Sequence, residues 1–116
     1  MTNTEALHAA NCLVEEIYKL EICLNEKKKE QAKIEENKNY IEYNIMFSIV
    51  FDKEYKKYKN KEQRDLYFQK QLYDNKEYQD LVKRNSELHF TIKEYEILID
   101  YKERMYKILL KCNPDT

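Results

Sequence analysis

Between residues 78 and 109 the apolar positions recur in sevens. One register runs Tyr78, Asn85, Ile92, Ile99, Tyr106 and the other Leu81, Leu88, Tyr95, Lys102, Leu109. Eight of these ten positions are apolar or aromatic, and neither Gly nor Pro interrupts them. That pattern predicts a long helix with a coiled-coil-like seam. Val82, Leu98, Met105 and Leu110 widen the stripe, so the helix is expected to touch more than one neighbour.

The leading half carries a second stripe. Thr2, Asn3 and Thr4 can each cap a helix, after which Ala6, Ala10, Leu13, Ile17, Leu20 and Leu24 fall on one face. The seam then meets Lys27 and Gln31, recovers at Ile34, meets Lys38, and recovers at Ile41 and Ile45. Asn37 and Asn39 are weak helix formers but not breakers, so one helix is expected over about 4–52. The run at 45–51 is apolar all round, which predicts burial on several sides. Residues 52–60 lack a seam and read as a helix end plus connection. Asn60 can cap a short helix over about 61–73, with Leu66, Phe68 and Leu72 as its apolar contacts. Asp74, with Glu77 three residues on, resembles a capping box for a last helix over about 75–111, which Cys112, Asn113 and Pro114 end.

The fold class expected is all-α. It is a single domain over 1–116, a long antiparallel helical hairpin with a short helix at its turn, and oligomeric. The two long helices would span about 72 and 54 Å at ~1.5 Å per residue. Aligned at the turn, the last helix would cover the first only back to about residue 15. The turns before it would overhang, and burying each Leu or Val there is worth ~1.5–3 kcal/mol. A second copy, most simply a dimer, is therefore expected on Leu7, Ala10, Leu13, Val14 and Ile17. Asn85 sits in the seam, where a buried Asn selects register and partner number, or it faces the solvent edge.

Composition narrows the function classes. There is no Gly, so turns with positive φ and glycine phosphate loops are nearly excluded. Net charge is −1, which argues against a generic polyanion binder. No leader is visible in residues 1–20, and the apolar run at 45–51 is far too short to span a membrane. Three cysteines, Cys12, Cys23 and Cys112, lack framework spacing and point to a reducing cytoplasm with free thiols.

Candidate chemistry is sparse. His8 and Cys12 are spaced for one metal, and Cys112 would come near the same end, but no fourth ligand is evident. A surface His with small thiols is the simpler account, so no metal and no cofactor is expected. His89 has no ordered partner in sequence. Ser48 and Ser86 lack nucleophile-elbow glycines, and no carboxylate pair is placed for a raised pKa. No enzyme and no small-molecule substrate is expected.

The basic tip is more informative. Residues 53–64 hold six basic and two acidic side chains, a net +4, with Tyr55 and Tyr58 interleaved. Tyr55, Lys56, Lys57, Tyr58, Lys59, Lys61 and Arg64 could contact single-stranded nucleic acid, or a protein partner. A solvated connection is the bland alternative, as a solvated helix face is for Lys27, Lys28 and Lys29. A nucleic-acid site needs Lys56, Lys57, Lys59, Lys61 and Arg64 to converge on one face. An interaction protein needs an exposed apolar patch.

Residues 59–88 combine Asn60, Arg64 four positions on, a short helix, an acidic restart at Asp74, and Tyr78 before a long final helix. In this the tail half resembles a loose group of small helical phage and prophage proteins. Members often lie among phage recombination genes, and small phage helical proteins also include inhibitors of host defence. The resemblance implies a role near single-stranded DNA handling in the bacterial host cytoplasm, for a chain whose own residues point to no enzyme. It would bind a nucleic-acid-processing complex, either a recombination partner or a defence nuclease.

Overall fold

The computed structural model describes residues 2–111. Within them the chain is all-α, with no strand. Its elements are α1 (Asn3–Ile49), α2 (Lys53–Lys57), α3 (Lys61–Asp74) and α4 (Lys76–Lys111). The long α1 and α4 form an antiparallel hairpin, as the heptad patterns predict. α1 is unbroken at Asn37. The expected chain end at Cys112, Asn113 and Pro114 lies outside the described residues.

Capping chemistry sets the boundaries. Thr2 opens α1 with a reciprocal box: its Oγ1 accepts from the Glu5 N–H at 3.1 Å, and its own N–H donates to Glu5 Oε2 at 3.2 Å. Asn60 caps α3 as expected, its Oδ1 accepting from the Gln63 N–H at 2.8 Å. The α4 cap is Asn75 and not Asp74. Asn75 Oδ1 accepts from the Tyr78 N–H at 2.8 Å, while its N–H donates to the Leu72 carbonyl at 3.1 Å. One residue thus closes α3 and opens α4, and Asp74 stays inside α3. The stretch read as a connection contains α2, five residues capped by Asp52. Asp52, Tyr58, Asn60 and Asn75 are all extended at negative φ, and no described residue has positive φ. A glycine-free chain can therefore turn three times by breaking each helix at an extended Asp, Tyr or Asn.

The helices form two compact units. The first joins α1 up to Lys29 with α4 from His89. Leu24, Ile92 and Ile99 form its core, with Ile17, Leu20 and Tyr95 packed against them. Lys102 occupies a seam position and carries its ammonium out to Glu16 Oε2 at 2.7 Å.

This pairing corrects the overhang. With Lys102 beside Glu16, Lys111 comes to about the level of Leu7. Ala6, Ala10 and Leu13 are then buried within their own chain. α4 does not start level with the end of α1, where the lengths alone would put it. In the second unit Tyr78 bonds to Glu42, about two turns before that end. Ala10 and Leu13 therefore serve the chain's own seam and Ile17 is half-buried in it, leaving Leu7 and Val14 exposed.

The second unit spans Glu30–Leu88. Ile34, Ile41, Ile49, Leu72 and Leu88 are buried in it. Its polar stretch of α1 is cross-linked to α4: Arg84 Nη2 lies 2.6 Å from Glu30 Oε1, and Asn85 Nδ2 donates to Glu35 Oε1 at 2.9 Å. Asn85 thus turns its amide to α1 rather than to solvent. The apolar run at 45–51 is not buried all round, because a two-helix contact offers each helix one inward direction. Only Ile49 is buried and Ile45 half-buried, while Met46, Phe47, Val50 and Phe51 are exposed. On α3, Leu72 is buried and Phe68 half-buried, but Leu66 is exposed.

Candidate partner-binding surface

The tip of the second unit is built on Asp52. Its Oδ1 accepts from the Glu54 N–H at 2.8 Å, which starts α2. Its Oδ2 accepts from the Tyr67 hydroxyl at 2.8 Å, which ties α2 to α3. The backbone bond from Glu54, and then the Tyr67 bond, hold the Asp52 carboxyl below its usual range. The bond to Asp52, followed by burial, pushes the Tyr67 phenol up.

Tyr67 also collects the two tip tyrosines. The Tyr55 ring lies 6.2 Å from it and the Tyr58 ring 5.6 Å, both tilted at 46°. Tyr55 and Tyr58 are therefore half-buried in an aromatic cluster and not set out as open stacking plates.

The basic residues are divided. Lys57 Nζ lies 2.9 Å from Glu54 Oε1, and that hydrogen bond raises its pKa. Arg64 Nε donates to the Tyr58 carbonyl at 3.0 Å, a structural bond across the α2–α3 joint. Lys56, Lys59 and Lys61 are exposed. Of the five expected cations, Arg64 thus holds the α2–α3 joint and Lys57 is paired within α2. A groove of about 540 Å³ lies beside them, lined by Glu54, Tyr58, Gln63, Leu66, Tyr67, Lys70 and Gln71.

A second feature of this unit is the outer face of α1 and the turn that follows it. Tyr40, Tyr43, Phe47 and Phe51 are all exposed. Tyr43 and Phe47 stack at 6.4 Å, and Phe47 meets Phe51 edge-on at 5.6 Å. The sequence reading missed this ladder and the organising pair Asp52–Tyr67. The steps of three, four and four from Tyr40 to Phe51 were present as a signal, but the continuous apolar run at 45–51 concealed which residues face outward.

His8 and Cys12 do come together, with Sγ 3.7 Å from Nε2. Cys112 lies outside the described residues, and among the described residues no three His, Cys, Asp or Glu gather as a metal site. No described helix is long and apolar enough to cross a membrane. No family model, no curated protein and no solved structure matches this chain.

Proposed function

We propose that this chain is a non-enzymatic helical interaction protein that binds a protein partner through the second unit. The aromatic ladder Tyr43, Phe47 and Phe51 carries the reading. Contiguous exposed aromatic surface marks interaction sites, and Tyr and Phe are enriched at the cores of protein interfaces. The phage resemblance directs the partner towards nucleic-acid-processing proteins, a recombination partner or a defence nuclease, in the bacterial cytoplasm.

The second reading is a single-strand binding accessory, favoured by exposed Lys56, Lys59 and Lys61. Against it, Tyr55 and Tyr58 already have Tyr67 as their ring partner, and Arg64 has a backbone partner.

The test is capture from bacterial lysate, with and without nuclease treatment, by native protein and by Phe47→Asp. The expected result is a nuclease-resistant partner that Phe47→Asp loses while circular dichroism stays helical. Capture that nuclease abolishes would favour the second reading. Oligonucleotide affinity should then fall steeply with salt, and Lys56→Gln with Lys59→Gln should flatten that slope.

A further inference from the structure

The outward face of α4 in the first unit has an order that its own packing does not use. The inward face carries Ile92, Tyr95 and Ile99 into the core. Phe90, Ile97, Tyr101 and Ile108 point away from it and are between 59% and 70% exposed. With Glu94 and Arg104 they form the series 90, 94, 97, 101, 104, 108. Its steps alternate four and three, which is the spacing of a second helix-pairing seam.

That seam is a palindrome centred at the level of Ile99. Turned end for end, it sets Phe90 against Ile108, Ile97 against Tyr101 and Glu94 against Arg104. We propose that this face binds the same face of a second copy, α4 against α4, antiparallel about a two-fold axis. Each apolar seam residue then meets an apolar residue, and Glu94 meets Arg104 twice per dimer. A two-fold interface requires such self-complementarity, whereas a face made for an unrelated partner does not. Parallel pairing would oppose Glu94 to Glu94 and Arg104 to Arg104, and like charges discriminate strongly against it.

The available charges suit this role. Arg104 is well exposed and pairs through Nη2 with Asp100, 3.0 Å away along its own helix, and a guanidinium has further N–H donors for a second carboxylate. From Phe90 to Ile108 the seam runs ~27 Å at 1.5 Å rise per residue. Two copies of a two-helix unit joined in this way make a four-helix arrangement, in which α4 is covered on both sides. This inference stands apart from the aromatic ladder of the second unit, and either can fail alone.

Sedimentation equilibrium of the full chain tests it, with circular dichroism as the check on folding. The native protein should be a dimer, and Ile97→Asp a helical monomer. Glu94→Arg alone and Arg104→Glu alone should each raise the dissociation constant by roughly tenfold or more. The double variant Glu94→Arg with Arg104→Glu should return to near the native value, because the swap restores opposite charges only in the antiparallel pair. A monomer at the highest soluble concentration overturns the proposal. So does a dimer indifferent to Ile97→Asp but broken by Val14→Asp, which would place the contact on the exposed face of α1. A double variant as weak as the singles overturns the antiparallel pairing.

Discussion

Both units pair α1 with α4 and both bury aliphatic side chains, yet their polar links differ. In the first, the clustered Leu24, Ile92 and Ile99 dominate, and Lys102–Glu16 is a rim ion pair. In the second, α1 and α4 meet through Arg84–Glu30, Asn85–Glu35 and Tyr78–Glu42, with Tyr67–Asp52 tying α2 to α3. Apolar contact is non-directional, so it tolerates small slips of one helix past another. Polar pairs at fixed levels do not, because a slip strands each partner. The second unit thus carries most of the pairs that specify register, while each unit has its own set of buried aliphatic side chains.

The largest expected effect comes from Leu88, 1% exposed and the most buried large side chain. Leu88→Ala removes its contacts and leaves a cavity, which costs about 2–5 kcal/mol. Leu88 belongs to the second unit, so hydrogen exchange should lose protection first over 30–88 and less over 89–111. Ile99→Ala should reverse that order. Uniform loss of protection in both variants would mean that the chain opens as one body and that the contrast has no energetic counterpart.

Helix identity was legible in the sequence because it rests on local period: the heptads of α4 and the Asn60 cap stand where expected. Register was not legible. Helix lengths bound how far two helices overlap, but only the side-chain pairs fix the level, and Tyr78–Glu42 lies 36 residues apart in the chain. The Asp74 cap failed because Asp74 and Asn75 are equally able acceptors, and the spacing to Glu77 favoured the wrong one. α2 is too short to carry a periodic signal. At the tip, basic composition was visible, but the Tyr67 cluster that occupies Tyr55 and Tyr58 depends on α2 and α3 folding together.

A smaller effect, of opposite sign, is expected at Asn85. Its Nδ2 donates to Glu35, but its Oδ1 is buried with no hydrogen-bond partner among the described residues. An unpartnered buried acceptor is destabilising, and Leu in its place would extend the apolar seam. Glu35 would keep Lys38 at 3.5 Å and is partly open to water. Asn85→Leu should therefore raise the melting temperature, corresponding to a gain on the order of 1 kcal/mol. Exchange near Glu35 should quicken at the same time, because the level-setting pair is gone. A lower melting temperature would show that the Glu35 bond outweighs the stranded oxygen.

The smallest effect isolates one polar link by pH. The Tyr78 hydroxyl donates to Glu42 Oε1 at 2.6 Å, and Lys38 Nζ lies 5.8 Å from the ring centroid. The Glu42 bond first, then burial, then the charges of Glu42 and Glu35, push the phenol up to about 12 from its ordinary 10.0. Ionisation removes the donated proton and sets a phenolate beside a carboxylate. Because the folded value is the higher one, the stabilisation is fully present below the unfolded pKa of 10.0. It is lost as pH rises through about 12. Solvent screening at this partly open site keeps the bond at about 1 kcal/mol or less. Tyr78→Phe should therefore lower the melting temperature slightly at neutral pH, and the gap to native protein should close as pH climbs through that window. Lysine deprotonation affects both proteins alike and cancels in the difference. A gap that stays constant to the top of the window would mean that the Tyr78 ring, and not its hydroxyl, contributes what this position adds.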